Sequence, residues 1–269
     1  MTDALRIPRR VRHDLKFRAL KVVSIEDLTP SLRRIVLGGD ALEGFISLGF
    51  DDHVKLFPPK PGKPLVLPTV GPDGPVFPEP RPAARDYTPR AYNPATQQLT
   101  IDFVTGHGGP ATEWAEMAGP GAIVGVGGPR GSLIVPTAFQ NHLLIGDETA
   151  LPAIARRLEE LPATVRALVI VEVDDAASKL PLTSAADLTL VWVERNGRPR
   201  AQADALVEAV ARSAADVDPS DAYVWIAAES LVAKALRAQV VAMGFNSKTM
   251  KAAGYWRKGA VGAHEVIED

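Results

Sequence analysis

The spacing of apolar residues changes once along this chain, near residue 140, and that change limits the folds open to it. From Phe17 to about Val135 they recur in short runs, broken every few residues by turn signals. "ALKVVSIEDL", "LRRIVLGG", "DDHVKLFPP", "ARDYTPRAY", "QQLTIDFVTG" and "GAIVGVGGPRGSLIV" read as strands with few helices between them. That pattern predicts an N-terminal antiparallel six-stranded β-barrel. Ten of the 23 prolines lie between Pro58 and Ala84, which bars that stretch from a central strand or helix and makes it a surface loop. After Gln140 strands such as "VRALVIVEVDD" and "AYVWIAAES" alternate with helical runs such as "ALPAIARRLEELP" and "LVAKALRAQVVAMGF". Such alternation predicts a C-terminal doubly wound parallel-sheet α/β domain. With the boundary at about Pro136 to Gln140, the expected domains are 1–137 and 138–269.

Composition narrows the chemistry. No cysteine is present, which removes disulfides, thiolate catalysis, iron–sulfur ligation and cysteine-type zinc sites together. The five histidines are scattered without ligand spacing, so no protein-bound metal is expected. Thirty basic residues oppose 32 acidic ones, a balance that offers no global field to nucleic acid or an anionic membrane. Apolar runs such as "ALVIV" fall far short of the roughly 18 residues of a membrane span. The start, "MTDALRIPRRVRHDLKFRALK", is basic but has no apolar signal core, so a cytoplasmic location is expected.

Four stretches could carry a site. Read as one strand, "RDYTPRAY" puts Arg85 and Tyr87 on one face and Thr88 and Arg90 on the other, which suits a ligand with a phosphate and a ring, or a plain exposed strand. "TGHGGPATEWAEM" brings glycines to a helix start at Pro110, a cradle for a pyrophosphate or an ordinary Gly-Pro cap. In "LLIGDETALP", Thr149 and Ala150 open a helix at a strand end, where free N–H groups could meet a phosphate or simply be capped. Arg195, Arg198 and Arg200 follow another strand and could favour a 2′-phosphate or form a solvated loop. Neither GxGxxG nor a Walker A motif occurs, so the usual dinucleotide and P-loop fingerprints are missing.

A barrel followed by an α/β domain, with Arg-x-Tyr-Thr in the barrel, resembles the ferredoxin-reductase superfamily. More narrowly the chain resembles the siderophore-interacting proteins, the flavin-dependent ferric-siderophore reductases. The resemblance runs from about Arg9 to Gly259 through "LTPSLRRIVLGG", "DDHVKLFP", "RDYTPRAY", "IDFV", "GGPATEWA", "GPRGS", "GDETALPAI", "WIAAES" and "GYWRKG". It implies FAD and NAD(P)H as cofactors and a ferric siderophore as substrate. By analogy Arg85, beside Asp86, would meet a flavin phosphate, Tyr87 would lie against the isoalloxazine, and Thr88 would reach its N5 edge. Asp102, Phe103 and Val104 would shape the next part of the FAD site, and Gly109, Ala111 and Thr112 would hold the pyrophosphate through the backbone. Thr149 would touch the ring, Trp256 would pack beside it, and Asp147, Glu148 and Glu229 would flank the nicotinamide nucleotide. His107 departs from the pattern, because "TG" separates it from the "DFV" strand.

Lys55, Arg130, Lys251, Arg257 and Lys258 are the candidate cations for an anionic ferric complex. No general acid or base is expected, since outer-sphere electron transfer breaks no bond to hydrogen. Two other readings stay open. One is a broader ferredoxin-reductase-like enzyme acting on free flavin or a redox partner, with a ferredoxin as an alternative donor. The other is a flavin-free carrier of siderophores or nucleotides.

Overall fold

The computed structural model describes residues 6–260 and 265–267. The chain divides into two compact units, Pro8–Val135 and the stretch from Pro136 onward. Arg6, just before the first unit, belongs with the second, where its guanidinium lies 2.6 Å from the Asp221 carboxylate.

The first unit contains β1 (Arg9–Arg12), β2 (Phe17–Thr29), β3 (Leu32–Gly38), β4 (Val54–Phe57), β5 (Thr69–Gly71), β6 (Gly74–Val76), β7 (Arg85–Tyr87), β8 (Ala91–Asn93), β9 (Gln98–Val104), α1 (Pro110–Met117), β10 (Ile123–Gly127) and β11 (Gly131–Ile134). Its main sheet is antiparallel, has seven strands rather than six, and runs β7-β4-β10-β2-β3-β9-β8. Among the described residues no ladder joins the edges β7 and β8, so the sheet order alone does not give the closed six-stranded barrel expected from sequence. Pro89 is the cause. It has no N–H to give a ladder and breaks "RDYTPRAY" in two. The first piece pairs with β4 and the second with β9, at opposite edges of the sheet. The expected alternation therefore ends at Tyr87.

The unit's core follows the two-residue period of its strands. Leu20 and Val22, Ile35 and Leu37, Val54 and Leu56, Leu99, Ile101 and Phe103, and Val124 and Val126 all point inward. The proline-rich segment leaves the sheet as expected, packs Leu65 and Leu67 on β10, and then forms the β5-β6 hairpin. Gly125 permits that contact, because a Cβ there would run into Leu67 and Phe57.

The second unit holds β12 (Asn141–Gly146), α2 (Leu151–Glu160), β13 (Arg166–Val173), β14 (Asp187–Glu194), α3 (Asp204–Ser213), β15 (Ala222–Glu229), α4 (Ser230–Ala242), β16 (Met250–Trp256) and β17 (Glu265–Ile267). The sheet order is β14-β13-β12-β15-β16-β17, parallel except for the last strand. Strand order reverses beside β12, so the C-terminal ends of β12 and β15 form the crevice where such sheets collect ligands.

At the opposite end of β12 lies His142, 1% exposed between Phe139 and Tyr223. Neither ring nitrogen has a hydrogen-bond partner, although the backbone of Phe139 and Thr137 lies near enough to favour the charged form a little. Burial, helped by Arg157, pushes the imidazole down to about 3. Its folded-state value is thus below the unfolded one, so below about pH 6.5 the unfolded chain takes up a proton that the folded chain refuses. Stability is then lost at about 1.4 kcal/mol per pH unit as pH falls. Between pH 6.5 and 5 the wild type should lose about 2 kcal/mol more unfolding free energy than His142→Leu, as read by urea unfolding at each pH. Parallel pH dependences in the two proteins would refute this.

Candidate functional site

In the first unit the sequence candidates gather around the start of α1. The Tyr87 ring lies 4.5 Å, centroid to centroid, from Phe103, and Phe103 lies 5.9 Å from Trp114. Burial pushes the Tyr87 phenol up to about 12, against the opposing effects of a hydrogen bond with the Thr112 side chain and the charge of Arg85. Thr112 Oγ1 in turn lies 3.3 Å from His107 Nε2, and His107 Nδ1 lies 3.0 Å from the Gly108 carbonyl. A carbonyl only accepts, so Nδ1 carries the ring proton and Nε2 accepts from Thr112. Hydrogen bonds thus link Tyr87, Thr112, His107 and Gly108 in series. His107 clamps its own loop.

That loop leaves room for a ligand. Gly106, Gly108 and Gly109 have φ of 77°, 72° and 103°, and a Cβ on any of them would meet nothing within 4 Å. Gly109 caps α1, with Pro110 in its first turn and Ala111 and Thr112 buried behind. Arg85 has no carboxylate partner among the described residues; its guanidinium donates to the Ala84 carbonyl. A guanidinium without a carboxylate partner and an open glycine loop at a helix N-terminus fit a diphosphate-bearing cofactor such as FAD, which would take the Gly109 N–H from Glu113, now 3.2 Å away.

Other candidates are already engaged. Asp86 holds Lys55 at 2.8 Å across the β4-β7 register. Asp102 is buried and receives Arg34 through two bonds of 2.7 and 2.8 Å, a partner that sequence reasoning missed. Phe103 turns its side chain into the core, Val104 is buried on the other face of β9, and Thr88 is buried at the break after β7. Arg130 is exposed beside Gly128, and Lys55 sits opposite Gly127 on the adjoining strand.

In the second unit Asp147 is the hub at the C-terminal end of β12. Its Oδ1 accepts from Thr149 N at 2.9 Å and from the Thr149 hydroxyl at 2.5 Å. Its Oδ2 accepts from Glu229 N at 3.1 Å and Trp256 Nε1 at 2.8 Å. Gly146 lets the turn fold this tightly, since a Cβ there would collide with Ala150 and the Ala227 carbonyl. Glu229 caps α4 through Leu231 N and Val232 N and also takes Lys258 N at 3.2 Å. Asp147, Thr149, Glu229 and Trp256 therefore do converge on one rim, largely by bonding to one another.

Two expectations are corrected here. Arg195 is 3% exposed, and its guanidinium meets Glu148 at 2.9 Å, Glu172 at 3.2 Å and Asp174 at 3.3 Å. It has no free face for a 2′-phosphate. Burial holds the Glu172 carboxyl above its ordinary range even with Arg195 beside it. Arg198 bonds the carbonyls of Arg195 and Glu194, while Arg200 reaches Glu148 Oε2 at 3.1 Å and stays about one-third exposed. Lys251 also departs from the expected cationic patch. It pairs level with Trp225, whereas Trp256 pairs with Glu229. Five residues of strand put Lys251 about 17 Å from Trp256, toward the other end of the sheet. Arg257 and Lys258 are exposed just beyond Trp256.

Two family models cover most of the chain: a siderophore-interacting FAD-binding domain matches residues 21–133, and a siderophore-interacting protein domain matches residues 139–259. The NADPH-dependent ferric-chelate reductase of Escherichia coli K12 is 41% identical over 260 residues, covering 95% of this chain and 99% of that protein. A siderophore utilization protein from T. fusca superposes with a TM-score of 0.89 at 36% identity, over 96% of this chain and 98% of that one. The ferredoxin reductase of carbazole 1,9a-dioxygenase shares the fold alone, at 14% identity and a TM-score of 0.60 over 88% of this chain and 66% of that one.

Proposed function

Because the chain belongs to the siderophore-interacting protein family, we propose that it is an FAD-dependent NAD(P)H oxidoreductase that reduces ferric siderophores and releases Fe(II), in the cytoplasm. The observation that supports this most is identity along nearly the full length of a ferric-chelate reductase. In this reading residues 1–137 hold FAD and residues 138–269 hold the nicotinamide nucleotide. Bound flavin supplies the conversion between a two-electron hydride and one-electron transfers.

The residues divide the remaining work. Arg85 neutralises a phosphate, and the backbone of Gly109, Ala111 and Thr112 receives the diphosphate. The Tyr87–Phe103 pair walls the ring side, with Thr88 next to it and Arg34–Asp102 bracing β9. On the α/β side Thr149 and the rim of Asp147, Glu148, Glu229 and Trp256 receive the nucleotide. Arg198 and Arg200, not Arg195, are the cations near enough to solvent to meet a 2′-phosphate. Arg200 would exchange Glu148 for it.

An anionic ferric chelate needs positive charge near the acceptor position. A cation at about 7 Å gains about 2 kcal/mol per unit of opposite charge at an effective dielectric near 20, before screening. Lys55 spends part of its field on Asp86, so Arg130 carries the greater share in the first unit. Reduction lowers the charge on iron and weakens its hold on hard oxygen donors, and release follows.

Anaerobic mixing of the FAD-loaded protein with NADPH or NADH, then with ferric siderophores and an Fe(II) indicator, tests the reading. NADPH-driven Fe(II) release is the expected result; a protein that refuses FAD, or that oxidises neither nucleotide, sinks it. Arg85→Ala should lower FAD affinity at least tenfold, because a charge-assisted phosphate contact contributes about 1.5–3 kcal/mol. Equilibrium dialysis against FAD measures it, and unchanged retention would remove Arg85 from the site.

A further inference from the structure

A serine, a histidine and an aspartate meet in the first unit, wired in an order that fixes the histidine's proton. Ser132 Oγ lies 2.6 Å from Asp52 Oδ2 and 2.7 Å from His13 Nε2, and accepts from Leu48 N at 3.0 Å. Asp52 Oδ2 also accepts from the Ser47 hydroxyl at 2.9 Å and from Gly49 N at 3.0 Å. An oxygen receiving three donors is an acceptor, so the single Ser132 hydroxyl proton points to Asp52. Leu48 N–H takes one of the serine's lone pairs, and His13 Nε2–H must take the other. Nδ1 is left as the basic atom of a side chain that stays partly exposed. Protonating it would disturb none of these bonds.

The location adds a function to that chemistry. His13 N donates to the Arg130 carbonyl at 3.0 Å, at the end of the β1-β11 ladder where Arg12 pairs with Gly131. Lys55 faces Gly127, three residues from Arg130 and so within about 10 Å along the chain. The charged residues on the segments joined to His13 are Arg12 and Asp14 on its own, Arg130 on the facing one, Asp52 behind Ser132, and Lys16, whose carbonyl receives Gly128 N. Among the described residues, Arg12 and Arg130 have no ion-pair partner.

We propose that His13, held by Ser132 and Asp52, is the proton donor to the chelate's oxygen during iron release. This rests on the reductase reading above, which supplies the electron from NAD(P)H. One electron takes Fe(III) to Fe(II). The weakened Fe–O bond breaks with its electron pair on oxygen, that oxygen takes the proton from Nδ1, and the imidazole is reprotonated from solvent. The outer-sphere transfer expected from sequence moves the electron without a general acid; ligand departure is the step that uses one.

The test compares a ferric tris-catecholate, whose oxygens must be protonated to leave, with ferricyanide, which accepts an electron and no proton. His13→Gln keeps a donor for Ser132 but cannot titrate. It should lower the ratio of kcat for the tris-catecholate to kcat for ferricyanide at least about tenfold, the lower range of general acid catalysis being about a hundredfold. It should also erase the basic limb of the wild-type pH profile with the tris-catecholate. An unchanged ratio and pH profile would overturn the proposal, as would equal losses with both acceptors, which mark a purely structural strap. Wild-type protein that reduces neither acceptor overturns the reductase reading and this proposal together.

Discussion

Arg195→Ala is expected to destabilise the α/β unit by about 3–5 kcal/mol, the cost of leaving buried carboxylates without their cation. Glu148 and Glu172 are 4% and 6% exposed, and both rely on Arg195, as does the outer Asp174. Arg200 would still reach Glu148, but Glu172 would keep only the more distant charge of Arg198. Arg195→Lys should recover only part of the loss, because one ammonium cannot bridge Glu148 and Glu172 in the fork geometry of a guanidinium. The pH response has a definite sign. Burial already raises the Glu172 carboxyl above its unfolded value, so the folded state binds the extra proton and gains stability as pH falls. Losing Arg195 raises that carboxyl further, so the gap between variant and wild type should narrow on acidification. Urea unfolding of the full chain at pH 8 and pH 5.5 measures both effects. A loss below about 1 kcal/mol at pH 8 would mean that water already serves these carboxylates.

The same residue marks where sequence stops being informative. Periodicity separated the two units and placed the parallel strands, because burial repeats every two residues in a strand and about every 3.6 in a helix. It could not see which charges would meet. Arg195 read as a phosphate ligand since its partners lie 47, 23 and 21 residues away on other strand ends. Arg34 and Asp102 are separated by 68 residues, and only the β3-β9 register brings them together. "RDYTPRAY" held its own correction, because Pro89 bars a continuous ladder, yet that two edges would share the segment depends on the whole sheet order. His13, Ser132 and Asp52 left no trace at all in spacing. The glycine loop before α1 was legible because its requirement is local: positive φ and an open approach are properties of the residues themselves.

Asp147→Ala should cost about 3–4 kcal/mol and should do so through strand ends far apart in sequence. Four donors converge on this carboxylate, and two are backbone N–H groups, from Thr149 and the buried Glu229. An orphaned buried donor costs about 1–3 kcal/mol, and the partly exposed Thr149 and Trp256 groups recover some of theirs from water, which sets the sum. Trp256→Phe removes one donor and should cost about 1 kcal/mol. In the double variant that loss should vanish, giving a coupling energy near 1 kcal/mol between residues 109 positions apart. Additive losses would mean that the indole is held by packing instead. A carboxylate kept only for a nucleotide would raise the KM for NADPH and leave the urea midpoint unmoved. A carboxylate that ties β12, β15 and β16 into one rim must move both, because the surface proposed to meet the ligand is the same set of bonds that holds the strand ends together.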